Sequence, residues 1–213
     1  MSNVTMDQLL KQSAAMHHHL CPRQVLGVRM GMLGGTWLSL DLPQRDKRLF
    51  VFMETDGCTA DGVSVASGAW VGRRTMRMVD FGKVAATFVD TLSGAAVRIC
   101  PHPSSRTRAV QAAPDAPDRW HAQLLGYQRL PAEDLLIVEP VSLTVDLASL
   151  VSRDGARASC SVCGEEINNE RELVSGDDVL CRACAGEAYF VRELPASFAA
   201  GLPTTAVIDH TAR

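Results

Sequence analysis

Long apolar stretches are missing from this 213-residue chain. None approaches the roughly 20 residues that a membrane-spanning helix needs. A basic excess is missing too: 21 lysines and arginines stand against 24 acidic residues, a net charge of −3. That balance leaves no electrostatic footprint for nucleic acid or an anionic membrane. Residues Met1 to Asp7 do not place a basic segment before an apolar one, so no secretory signal is expected. No internal repeat is evident. The seven cysteines are an odd number, and without a signal they argue against a disulfide framework. Reduced, metal-bound thiols in a cytoplasmic protein are the expectation. Apolar residues make up 46% and charged ones 21%, ordinary globular composition for a medium domain with a small module attached.

The densest chemistry lies in Met16 to Gly31, where three histidines and Cys21 precede Pro22. Proline suits the first turn of a helix, where its missing N–H is not needed. Cys21 then falls at the N-cap, where the positive end of the helix dipole favours a thiolate. His17, His19 and Cys21 alternate, so an extended approach would point all three the same way. Nitrogen and sulfur donors so placed suit zinc or another thiophilic metal.

The spacing of Met6, Leu9, Leu10 and Met16 predicts a helix from Thr5 to Met16. A second runs from Pro22 to Leu33 and is expected to stop at Gly34-Gly35. Trp37 to Leu42 alternates as a strand, and Arg48 to Thr55 is an apolar run typical of a central strand. It leads into Glu54-Thr55-Asp56-Gly57-Cys58, and a cysteine on a loop after a buried strand is well placed for chemistry. Asp56 is a candidate to orient a histidine. A helix over Thr59 to Ala69 follows, then strands at Thr75 to Val79, Val84 to Val89 and Val97 to Cys100. Pro101 breaks the last of these; Cys100 and His102 could add ligands. Helices are expected at Ser104 to Ala112 and Arg119 to Arg129, and strands at Leu135 to Val138 and Val141 to Val145. Trp37, Trp70 and Trp120 read as core or interface anchors.

Near the C-terminus, Cys160-Ser-Val-Cys163 and Cys181-Arg-Ala-Cys184 are separated by 17 residues. Two C-x2-C pairs at this distance predict a structural four-cysteine zinc site. The segment between them fits a hairpin turning at Ser175-Gly176-Asp177-Asp178, and a short helix after Cys184 would complete a treble-clef-like ribbon. Acidic residues outnumber basic ones here, which points to a protein partner rather than nucleic acid.

The motifs His17-His18-His19-Leu20-Cys21-Pro22, Gly27-Val28-Arg29-Met30-Gly31, Glu54-Thr55-Asp56-Gly57-Cys58 and Asp80-Phe81-Gly82-Lys83, with the C-terminal ribbon, resemble the FmdE-like family of formylmethanofuran dehydrogenase proteins. The resemblance implies an α+β fold, a homodimer, a ribbon able to pack on the partner protomer, and a core metal site of His/Cys residues. It departs from the family pattern at Arg23, where a glycine is usual, and at Ser67-Gly68-Ala69, where a further cysteine is expected.

The combined expectation is an α+β core over residues 1–150, with a mixed or antiparallel sheet and flanking helices. A zinc ribbon at 156–193 and a tail at 194–213 complete the chain. His17, His19, Cys21 and Cys58 are the candidate core site, either as ligands of a second metal ion or, for His19, Cys21 and Cys58, as catalytic groups. Three functions are open: a redox or one-carbon accessory, a metal-handling protein, or a non-catalytic interaction protein docking partners through its ribbon.

Overall fold

Thr5 opens the first helix of the computed structural model, which describes residues 4–150 and 155–191. Its hydroxyl accepts the Gln8 N–H at 3.3 Å, and the Gln8 side chain accepts the Thr5 N–H at 2.9 Å. This capping box satisfies two otherwise orphaned donors. Helix α1 (Met6–His17) buries Leu9, Leu10 and Ser13 and ends where His18 turns left-handed, φ 62°. The helix thus runs on through His17. The segment carrying His17, His19 and Cys21 is therefore not extended throughout: His17 is helical, His18 is left-handed, and Cys21 is extended, φ −129°.

Helix α2 spans Pro22–Leu38. The expected stop at Gly34-Gly35 is not used. A Cβ on Gly34 would lie 2.7 Å from the Phe88 ring, and one on Gly35 2.7 Å from the Leu42 side chain. Those glycines serve close packing, not termination. The helix therefore absorbs Trp37 and Leu38, ends at Ser39 (φ 54°), and no strand forms over residues 37–42.

The sheet follows the apolar run. Strand β1 (Leu49–Met53) leads through a short loop into α3 (Cys58–Ser67) and back to β2 (Met76–Met78), parallel to β1. Strands β3 (Ala86–Asp90), β4 (Ala96–Pro101) and β5 (Leu136–Val141) then add antiparallel, giving the order β2-β1-β3-β4-β5. The two strands expected at 135–145 are one: β5 runs through Pro140, which an edge strand tolerates because its N–H is not needed in a ladder. Pro101 likewise ends β4 from within it. Helices α4 (Ser105–Ala112), α5 (Arg119–Arg129) and α6 (Ala132–Leu135) lie between β4 and β5 in sequence. Phe50, Phe88, Met30 and Ile99 are fully buried in the core, each worth about 1.5–3 kcal/mol of burial. None of the three tryptophans is buried.

The closest packing is between α2 and α3. A Cβ on Gly27 would lie 2.2 Å from the Thr59 carbonyl oxygen, and one on Gly62 2.4 Å from that of Gln24. Gly31 meets Ala66 in the next turn. These contacts rise together along both helices, so α2 and α3 run parallel with their N-termini side by side.

The chain divides into two compact units, Met1–Leu147 and Ala148–Arg213. A single helical turn, α7 (Leu147–Leu150), marks the division. The second unit holds two small hairpins, β6 (Arg157–Ser159) with β7 (Glu166–Asn168), and β8 (Leu173–Ser175) with β9 (Asp178–Leu180). The second hairpin turns at Gly176, φ 61°, as its sequence predicts. In place of the expected short helix after Cys184, the described residues hold an irregular turn, Ala183–Glu187, broken at Gly186 with φ 102°. The expected tail at 194–213 lies outside the described residues.

Replacing Gly27 by alanine should force the helices apart, because the blocking atom is backbone. A loss of about 3 kcal/mol is expected in denaturant melts, at the upper end of overpacking costs; a loss under about 0.5 kcal/mol, typical of neutral surface sites, would contradict the packing.

The acid limb offers a second check. At the end of β1, Arg98 holds both Glu54 oxygens, at 2.6 and 2.8 Å, and this pairing keeps the buried carboxyl below its usual range against the opposing cost of burial. A depressed carboxylate stabilises the fold above its unfolded pKa, about 4.3, and loses that contribution as pH falls through the lower folded value. Stability should therefore decline below about pH 4.3, and Glu54→Gln should flatten that decline in urea melts.

Candidate functional site

Local chain geometry brings two cysteines and a histidine together. Cys21 is the N-cap of α2, its N–H held by Gln24 Oε1 at 2.7 Å. Gln24 Nε2 donates to the Ser13 carbonyl and hydroxyl at 2.9 and 3.0 Å, tying the start of α2 to α1. Cys58 is the first residue of α3, after Gly57 at φ 76°, ψ −152°. That conformation is open essentially only to glycine, so Gly57 is what lets the strand turn sharply into the helix. Because α2 and α3 are parallel, both positive helix ends face the two thiols.

The other motif residues hold this frame. Arg29 donates to the carbonyls of Tyr127, Gln128 and Leu130, at 2.8, 3.3 and 2.8 Å, closing the C-terminus of α5. The Glu54 carbonyl accepts the N–H groups of Phe81 and Lys83, at 3.0 and 3.1 Å. Two motifs far apart in sequence are thereby one loop system at the strand end that leads to Cys58.

At Cys58 the polar contacts form a line. His17 Nδ1 lies 2.8 Å from Asp61 Oδ2, and His17 Nε2 lies 3.2 Å from Cys58 Sγ. An ionised carboxylate only accepts, so the Nδ1 proton is directed at Asp61 and Nε2 faces the thiol as an acceptor. The His17 and Asp61 side chains are 27% and 32% exposed, and Cys58 is half-buried; a solute can reach them. Burial pushes the Cys58 thiol up, and the adjoining Cys21 thiol pushes it the same way; its own backbone N–H and Arg23 pull it down. With Nε2 as the acceptor, the Cys58 thiol is the donor of that 3.2 Å contact.

The structure sorts the candidate residues. His17, Cys21 and Cys58 come together. His19 is exposed, its ring centroid 4.8 Å from that of His17, at the outer rim. His18 is exposed, and so is Asp56; the orienting carboxylate is Asp61 instead. Sequence reasoning missed Asp61, although Cys58-x-x-Asp61 has the spacing that places two side chains on one helix face. His102 Nδ1 accepts the Ser104 N–H at 3.1 Å ahead of α4. The departures are legible too: Arg23 contributes a cation near Cys58, and Ala69 is buried just beyond α3.

In the second unit, the sulfurs of Cys160, Cys163, Cys181 and Cys184 all lie within 4.8 Å of one another, with Cys163 and Cys181 3.9 Å apart. Tetrahedral zinc with ~2.3 Å bonds needs sulfurs ~3.8 Å apart, so the set fits the ion. Backbone N–H groups of Cys163 and Cys181 hold the Cys160 thiol down to about 6, while burial and the neighbouring thiols push Cys184 up to about 12. A dication relieves that crowding of acids. With four protein ligands the site is closed and structural. Among the described residues this is the one group of three or more potential ligands drawn so tightly; His17, His19, Cys21 and Cys58 are not.

Comparison with known proteins agrees with both units. Residues 155–190 match the prokaryotic dksA/traR C4-type zinc finger. A probable S-adenosyl-L-methionine-binding protein of Archaeoglobus fulgidus is 30% identical over 95 residues; the chain spans only about a quarter of that relative, 26% of its length against 43% of this chain. The crystal structure of a tungsten formylmethanofuran dehydrogenase FmdE-like protein from Syntrophus aciditrophicus superposes with a TM-score of 0.55 at 19% identity, covering 89% of this chain and 96% of that one, a likeness of fold. Among the described residues no helix is long and apolar enough to cross a membrane. The family described as FmdE, molybdenum formylmethanofuran dehydrogenase operon, matches residues 16–136, more than half of the sequence, and the chain belongs to that family.

Proposed function

We propose that this FmdE-family protein is a thiol-based redox accessory whose reactive group is Cys58. The observation that supports it is the line Asp61–His17–Cys58, at 2.8 and 3.2 Å. A nucleophile needs a base within hydrogen-bond reach and a third group to orient that base. His17 Nε2 takes the S–H proton as sulfur attacks. Asp61 fixes the imidazole and stabilises its cationic form. The N-terminus of α3 favours the charge that builds on sulfur. A raised resting thiol is compatible with this order of events, since the proton leaves during attack. The ribbon's zinc is structural and takes no part.

One observation favours a second reading. A histidine whose Nδ1 meets a carboxylate is the usual partner of a bound metal, and Nε2 of His17 with the thiols of Cys58 and Cys21 would offer three soft donors and an open position. Such an ion would ionise the thiols and act as a Lewis acid.

The two readings separate in one set of measurements on the reduced full-length protein. Alkylation of Cys58 by iodoacetamide, followed by peptide mass mapping, should slow about 100-fold in His17→Ala and about 10-fold in Asp61→Asn. Metal analysis should find one zinc per chain, unchanged in Cys58→Ser. Equal alkylation rates in all three proteins would refute the nucleophile. A second ion, lost in Cys58→Ser, would establish the metal site instead.

A further inference from the structure

The proposed nucleophile leaves a second thiol unused. Cys21 is 8% exposed and stands beside Cys58 at the neighbouring helix start, close enough to raise its thiol. Its position follows from the fold. Gly27 and Gly62 let the two helix backbones touch, and both cysteines stand at the first positions of those helices. Gln24 fixes the Cys21 backbone through Ser13 of α1, the same helix that ends in His17. Base, outer thiol and inner thiol are thus held by one set of backbone contacts. Cys100, by contrast, sits in β4 opposite Ile137 of β5, two strands from β1.

A half-buried thiol with its own base, backed by a buried second thiol, has a specific chemical use. We infer that the site exchanges with disulfides, Cys58 as the attacking thiol and Cys21 as the resolving one; this rests on Cys58 being the nucleophile. In the first step Cys58 sulfur bonds to one sulfur of a substrate R–S–S–R′. The substrate S–S bond breaks, R′–S⁻ leaves, and the Cys58 proton passes to His17 and then to the leaving thiolate. In the second step Cys21 sulfur attacks Cys58 sulfur. R–S⁻ leaves and takes up the Cys21 proton. The substrate disulfide gains two electrons and becomes two thiols, and the protein is left with a Cys21–Cys58 disulfide. A monothiol of the same class reverses both steps. The exposure difference sets the order: Cys58 meets the substrate, and Cys21 is reached only from Cys58.

The test uses the reduced full-length chain, ribbon zinc in place, with glutathione disulfide as the probe. Products are mapped by mass spectrometry after acid quenching. The wild-type protein should pass through a glutathione adduct on Cys58 and end with the Cys21 and Cys58 peptides joined. In Cys21→Ser the adduct on Cys58 should persist instead of being consumed; serine is itself a good N-cap, so the helix start is retained. In Cys58→Ser neither an adduct on Cys21 nor a joined peptide should form. A wild-type adduct on Cys58 that persists as long as in Cys21→Ser would overturn the resolving role while leaving the nucleophile intact. If Cys58 forms no adduct in either protein and its alkylation is also indifferent to His17, the nucleophile itself fails. Joining of Cys58 to Cys100 would overturn the assignment to Cys21.

Discussion

The backbone contact between α2 and α3 is the constraint on which the rest of the core depends. Two glycines, Gly27 and Gly62, remove the side chains that would otherwise hold the helices apart. Helices normally pack 8–10 Å apart according to the side chains between them; here carbonyl oxygens stand where a Cβ would be. The parallel direction shows in the contacts themselves, Gly27 against Thr59 and Gly62, then Gly31 against Ala66 one turn on. Direction and closeness together put two helix N-termini at one place, and a cysteine sits at each. Without the glycines the thiols separate, however good each one's own environment.

The motifs that carry the family resemblance divide by role on this frame. Gly27 and Gly31 make the crossing, Met30 fills the core and Arg29 closes α5. Glu54 gives its side chain to Arg98 and its carbonyl to the loop holding Phe81 and Lys83. Gly57 supplies the turn. All of these position; His17, Cys21, Cys58 and the unexpected Asp61 are what they position. The zinc ribbon is separate in kind, because its four sulfurs are ligands of one closed ion and have no vacancy for chemistry.

Much of this is legible in the sequence because the signals are local. Pro22 after Cys21, the apolar spacing of α1, the apolar run of β1 and the paired C-x2-C knuckles each need only a few neighbouring residues to be read. Sequence reading fails where a distant contact overrides a local rule. Gly34-Gly35 looks like a helix stop, and only Phe88 and Leu42 packed against it show why the helix continues. Pro140 looks like a strand break, and only its place on the sheet edge permits one strand there. Asp56 reads as the orienting carboxylate in place of Asp61 because nothing in the sequence says that the end of α1 lies over the first turn of α3. His19 alternates with Cys21, yet the left-handed turn at His18 leaves it on the rim.

For Cys58 to act as the proposed nucleophile, Asp61 and His17 together must leave a free acceptor nitrogen facing its thiol. The ¹⁵N chemical shifts of the His17 ring in the reduced, full-length protein measure that state directly. A proton on Nδ1, with Nε2 showing the shift of an unprotonated acceptor that changes in Cys58→Ser, is the predicted result. A proton on Nε2, or ring shifts indifferent to both Asp61→Asn and Cys58→Ser, would contradict it.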